Sequence, residues 1–159
     1  MNIKEYAQKI ESNTKNIKDP EYFTLGIFEE YGEVIGKVKR FFRGDYQKDQ
    51  FREQVKKELG DMLFYLVSYE NRIQHLSEFR KPKPSRLKQN LRDLGALNLQ
   101  IENPQSTYHL GIALRSAVDK VTDLAANFNL TLDEIIQTNL DKIHSRAQRG
   151  VIKGSGDER

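Results

Sequence analysis

Cysteine is absent from the 159 residues. That excludes a disulfide framework, a thiol nucleophile and a thiolate metal site, and it fits a reducing compartment. No apolar run approaches the roughly 18 residues that a membrane span needs. The opening Met1-Asn2-Ile3-Lys4-Glu5-Tyr6 lacks an apolar signal core. Both absences lead to the expectation of a soluble, cytoplasmic protein. The histidines His75, His109 and His144 have no ligand spacing among themselves, so surface or cap roles suit them better than zinc. No Gly-x-x-x-x-Gly-Lys phosphate loop is present, and Gly154-Ser155-Gly156 lacks the strand-to-helix context such a loop needs. The charge surplus is small, +3 with a pI near 9.0. It is compatible with an anionic substrate and too mild to point to nucleic acid.

What the chain does have is helical periodicity. No period-two strand pattern competes with it, and a length of 159 residues suits one domain with a real core. Charged residues make up 31%, above the ordinary level of about a quarter, as expected of an all-α protein with wetted outer faces. A first helix is expected over Met1–Lys15, with Ile3, Tyr6, Ala7 and Ile10 on one side. Asp19-Pro20-Glu21 is a start signal for a second helix, running to about Arg43 before the turn at Gly44-Asp45-Tyr46. A third is expected from about Asp49 to Leu76, a short one from Arg86 to about Leu99, and another from Thr107 to Phe128. The last begins at Thr131, which with Glu134 forms a capping-box pattern, and ends near Arg149 with Gly150 as its C-cap. Short connections favour a bundle of antiparallel neighbours. The tail over 150–159 has no core-forming residues.

Two acidic clusters stand out, Glu29-Glu30-Tyr31-Gly32-Glu33 and Glu58-Leu59-Gly60-Asp61. The second helix carries an apolar stripe at Ile27, Tyr31, Val34, Val38 and Phe41, the third at Phe51, Val55, Leu59, Met62, Leu66 and Tyr69. At about 100° per residue, Glu30 and Glu33 fall roughly 60° and 120° to one side of the first stripe, and Glu58 and Asp61 fall at the same offsets from the second. Antiparallel helices packed stripe to stripe are related by an approximate two-fold axis, which carries both acidic pairs to one edge of the seam. Glu29 lies a step further round, nearer solvent. Like charges this close repel. They make sense around a hard divalent cation, which takes oxygen ligands. Either pair alone reads first as solvated surface charge, and Lys37, Arg40, Lys57 and Arg72 offer a second reading as ion-pair partners. Neither pair supplies the histidine of a Glu-x-x-His di-iron site.

The last helix has its stripe at Ile136, Leu140, Ile143 and Ala147, with Asn139, Lys142, Arg146 and Arg149 along one flank. Such a row suits an anion such as a polyphosphate, or a basic helix end favoured by the dipole. Lys37 lies on the acidic flank, where it would reach a phosphate or pair with Glu33. Tyr65, one turn after Asp61, suits a base pocket or plain packing. Arg80, Lys81, Lys83 and Arg86 make a basic, proline-containing connector, which reads as a solvated linker or, alternatively, as an adaptor surface for nucleic acid or protein.

Glu29-Glu30-x-x-Glu33 followed by Glu58-x-x-Asp61 resembles the signature of MazG-like nucleoside triphosphate pyrophosphohydrolases. Gly32 and Gly36, Phe42-Arg43-Gly44-Asp45, Asn139-Leu140-Asp141-Lys142 and the ending Ser145-Arg146-Ala147-x-Arg149-Gly150 agree with it. The resemblance covers roughly 1–75 and 118–157. It implies an all-α NTP pyrophosphatase fold, dependence on Mg²⁺ with Mn²⁺ as a substitute, and hydrolysis of (d)NTPs to monophosphate and pyrophosphate by a homodimer or homotetramer. Carried over by position, Glu30, Glu33, Glu58 and Asp61 are metal ligands. Glu29, or a ligand carboxylate such as Glu33, handles the attacking water, and Asn139, Lys142 and Arg146 face the substrate; Lys37 joins them as a substrate-binding candidate on its spacing alone. A bundle that binds nucleotides without hydrolysing them is the alternative. Residues 71–117 exceed the family's usual connection and are expected to be an insertion within a single domain of 1–159.

Overall fold

In the computed structural model, which describes residues 1–83 and 85–149, the chain forms six helices and no strand among those residues. These are α1 (Ile3–Thr14), α2 (Glu21–Arg43), α3 (Lys48–Arg72), α4 (Leu87–Glu102), α5 (Thr107–Asn127) and α6 (Leu132–Gln148). The all-α expectation holds. No helix among the described residues is long and apolar enough to cross a membrane. The expected Gly150 cap and the tail lie outside the described residues.

Local chemistry sets the boundaries. α1 and α6 both start with full capping boxes, Asn2 with Glu5 and Thr131 with Glu134, which satisfy backbone N–H groups that have no partner inside the helix. At the head of α2, Pro20 already has helical dihedrals and the Asp19 carboxylate accepts from the Glu21 N–H at 3.0 Å. Gly44, at φ 91°, closes the other end in the left-handed region that favours glycine. α3 stops at Arg72, four residues short of the expected Leu76. Gln74 turns left-handed at φ 56°, and the His75 N–H reaches back to the Glu70 carbonyl at 2.9 Å. This is a Schellman ending without glycine, and no pattern of apolar spacing signals it. α4 begins one residue later than expected and runs on to Glu102.

α3 is the central helix, packed against α1, α2, α5 and α6. α2 runs antiparallel to it, as the pairs Phe23–Tyr69, Lys37–Glu58 and Phe41–Phe51 show. The stripes predicted on α2 and α3 meet in the core, where Ile27, Val34, Val55, Leu59, Met62 and Leu66 are fully buried. The segment 71–117, expected as an insertion, has helices of its own. It builds α4 and the first half of α5, an antiparallel hairpin fixed by Lys120–Asp93 at 2.8 Å and by Asn90 donating to Asn127 at 2.8 Å. α5 lies on α3, and α4 leans on α2, where the Tyr31 hydroxyl donates to the Leu91 carbonyl at 2.8 Å.

Two glycines on α2 give a paired prediction. A methyl group at Gly26 would lie 2.4 Å from the Tyr65 ring, whereas one at Gly32 meets nothing within 4 Å. Gly26→Ala is expected to lower the unfolding free energy by about 1–3 kcal/mol through overpacking. Gly32→Ala is expected to raise it by roughly 0.5–1 kcal/mol through helix propensity. Urea denaturation of both variants checks the pair, and equal shifts would contradict it.

Candidate metal and nucleotide site

The predicted edge of the α2–α3 seam exists. Glu30 and Glu33 of α2 and Glu58 of α3 each offer a carboxylate oxygen, and these atoms all lie within 4.8 Å of one another. Their exposures differ. Glu58 is 1% exposed, Glu30 is half-buried and Glu33 is exposed. The cluster therefore runs from a dry floor to a wet rim. Glu29, exposed on the next position of the helix, borders that rim.

Crowding has a visible electrostatic consequence. Burial, with the charges of Asp61, Glu33 and Glu58 added, pushes the Glu30 carboxyl up to about 9, against the pull of Lys142. A carboxylate held so unfavourably costs stability on its own, and a divalent cation offsets that cost. Carboxylate oxygens are also the donors that hard cations take. The residues present thus fit a divalent metal such as Mg²⁺.

Asp61 is near enough to act on Glu30 but is engaged differently from the other three acids. Its Oδ1 accepts from Asn139 Nδ2 at 2.9 Å, and its Oδ2 accepts from Lys142 Nζ. Both donors come from α6, and α6 approaches α3 closely because of Gly60. A methyl group there would sit 3.1 Å from the Ile135 carbonyl and 3.2 Å from Asn139 Cβ. α6 is further held by Arg52 of α3, which pairs with Glu134 at 2.6 Å and reaches the Asn129 carbonyl. Backbone and side-chain hydrogen bonds from Thr131, with Arg52, bring the Glu134 carboxyl down to about 2.

The sequence row of Asn139, Lys142 and Arg146 is therefore not uniform. Asn139 is 3% exposed and belongs to the buried face with Ile135 and Ile136, while Ala147 of the expected stripe is exposed. Lys142 and Arg146 are half-buried, one turn apart. Lys37 joins the site too, but by pairing with Glu58 at 2.9 Å and donating to Gln54 at 3.2 Å. The pairing with Glu33 that its spacing suggested gives way to a cross-helix one, because α3 presents Glu58 directly opposite. Arg72 serves elsewhere, donating to the Ile17 and Lys18 carbonyls.

Sequence reasoning missed Tyr6. It sits on the apolar face of α1 and is fully buried, yet its hydroxyl donates to Asn139 Oδ1 at 2.8 Å. Burial, with the charge of Asp61 added, keeps this phenol protonated by raising it well above its usual range. Tyr65 packs its ring on Gly26 and against Tyr22, half-buried beside the acids. The basic connector is tied down rather than free. Arg80 pairs with Asp119 at 2.9 Å and Asp123 at 2.8 Å, and the Lys83 N–H donates to Asp123 at 2.7 Å. An adaptor surface there loses its first cation to the fold.

The chain is similar to the Gene 37 protein of Mycobacterium phage L5, with 26% identity over 149 residues, covering 91% of this chain and 80% of that protein. No solved structure matches it. Residues 18–81, which hold Glu30, Glu33, Glu58 and Asp61 together with Glu29 and Lys37, match the family model of the MazG nucleotide pyrophosphohydrolase domain, so the segment that builds the acidic site is MazG-like.

Proposed function

We propose that the protein is a divalent-metal-dependent nucleoside triphosphate pyrophosphohydrolase, which converts a (d)NTP and water to the (d)NMP and pyrophosphate. The observation that carries this reading is the convergence of Glu30, Glu33 and Glu58 from two helices within 4.8 Å, inside a segment that matches a nucleotide pyrophosphohydrolase family. Glu30, Glu33, Glu58 and Asp61 hold the metal, for which Mg²⁺ is the natural occupant and Mn²⁺ a substitute. When bound, such an ion polarises phosphate oxygens and offsets the charge that develops there.

The chain's own residues do the rest. Glu58 and its partner Lys37 form the floor, where exclusion of water strengthens every charge interaction. Glu29 and Glu33 are the exposed carboxylates of the cluster, and one of them accepts the proton of the water that attacks the α-phosphorus. Lys142 and Arg146, from α6, face the pyrophosphate oxygens and stabilise the leaving group. Asn139 keeps Asp61 oriented.

A panel of canonical and damaged dNTPs and NTPs, incubated with Mg²⁺ or Mn²⁺ and resolved by product, tests the reading. At least one substrate is expected to give monophosphate and pyrophosphate, with turnover abolished in Glu33→Gln and Asp61→Asn variants that fold normally. Nucleotide binding without turnover across the panel would favour the non-catalytic module. Diphosphate and phosphate as products would overturn the assigned bond.

A further inference from the structure

We propose that Tyr6, on α1, is a positioning residue of the metal site: through Asn139 it fixes the orientation of Asp61. The inference rests on the metal-site reading above and extends it to a helix outside the matched segment. Two short hydrogen bonds make the chain, Tyr6 Oη to Asn139 Oδ1 at 2.8 Å and Asn139 Nδ2 to Asp61 Oδ1 at 2.9 Å.

The direction of this chain is dictated by chemistry. An ionised aspartate only accepts, so Asn139 must turn its NH₂ toward Asp61 and its carbonyl away. The carbonyl then needs a donor. Tyr6 is 0% exposed and Asn139 is 3% exposed, so bulk water does not supply one. The phenol O–H is that donor, and with it the amide has a single satisfied orientation. Asp61 in turn receives Asn139 on one oxygen and Lys142 on the other, which fixes the plane of its carboxylate beside Glu30.

Deleting the hydroxyl alone removes this constraint. In Tyr6→Phe the ring keeps its place on the buried face of α1, which also carries Ile3, Ala7 and Ile10, but the Asn139 carbonyl is buried without a donor. The amide then gains from rotating or flipping, and each alternative presents Asp61 with an oxygen or with nothing. Partners one layer out from a metal ligand, the place Asn139 has here, typically matter by 10–100-fold in affinity, and Tyr6 acts from one layer further. The expected effect on metal binding is toward the lower end, about 10-fold, because Lys142 still holds the other oxygen.

The test is direct Mn²⁺ binding without nucleotide, by electron paramagnetic resonance of the free ion, on the full chain. Wild type, Tyr6→Phe, Asn139→Leu, the double variant and Ile10→Val are compared, with stability measured in parallel. Tyr6→Phe is expected to raise the Mn²⁺ Kd about 10-fold, and to raise it no further in the Asn139→Leu background, because it acts through that amide. Ile10→Val perturbs the same helix at a residue 1% exposed and is expected to leave the Kd unchanged. An unchanged Kd in a folded Tyr6→Phe overturns the proposal, as does an equal shift from Ile10→Val or a full additional shift in the double variant. Failure of the wild type itself to bind Mn²⁺ overturns the site reading beneath it, a different outcome from any of these.

Discussion

Glu30→Gln is expected to cut pyrophosphate release by about two to three orders of magnitude while making the metal-free protein more stable. Both effects follow from one arrangement. Three carboxylates lie within 4.8 Å of one another, and burial with the added charges of Asp61, Glu33 and Glu58 acts against ionised Glu30. With its carboxyl at about 9, Glu30 is protonated in the metal-free fold at neutral pH and ionises on unfolding; the neutral isostere keeps the volume and removes that drive to unfold, for a gain of about 2–3 kcal/mol. On the proposed function, the same change removes a metal ligand and a unit of the charge that attracts the cation. Thermal unfolding with and without Mg²⁺ separates the two. Wild type is expected to be the less stable protein in EDTA and to gain more on adding Mg²⁺, since a ligand bound only by the fold stabilises by mass action. A variant that is destabilised in EDTA, or one that keeps full turnover, would count against the arrangement.

The acidic edge was legible because side-chain direction on a helix follows from spacing alone. Equal offsets of Glu30 and Glu58 from two apolar stripes sufficed to bring them together. What depends on the distance between helices was not legible. Lys37 pairs with Glu58 across the seam, a match that spacing within α2 does not reveal. Asn139 read as a flank residue and is in the core, because Gly60 admits α6 so closely that the amide falls inside the contact. Tyr6 carried a true signal for burial and none for its hydroxyl. The end of α3 was overrun because Gln74 adopts a conformation associated with glycine or asparagine. The helices of 71–117 were expected in outline, but not their packing. The α4–α2 contact turns on Gly95, where a methyl group would lie 2.6 Å from the Tyr31 hydroxyl.

The second large effect lies away from the site, at Glu70. It is 0% exposed, and neither carboxyl oxygen has a hydrogen-bond partner among the described residues. The charges that face it come from α5. Arg115 draws its ionised form down, Asp119 opposes it, and burial outweighs both, so the carboxyl is pushed up to about 8. Arg115 also pairs with Asp119 at 3.1 Å, which Arg80 holds at 2.9 Å. The fold therefore keeps Glu70 protonated at a pH where the unfolded chain ionises it. Unfolding releases a proton in that window, so stability falls as pH rises from about 4.5 and levels off above about 8. The change across the window is roughly 3–5 kcal/mol if the whole shift is expressed. Glu30 has the same sign, so wild type alone does not isolate the effect. The difference between wild type and Glu70→Gln does, because the amide cannot ionise. Urea unfolding in EDTA is expected to give nearly equal stabilities near pH 5 and a progressively more stable glutamine variant toward pH 8.5. A difference curve that stays flat would mean that the carboxyl is ionised in the fold, with Arg115 rather than Asp119 as its controlling neighbour.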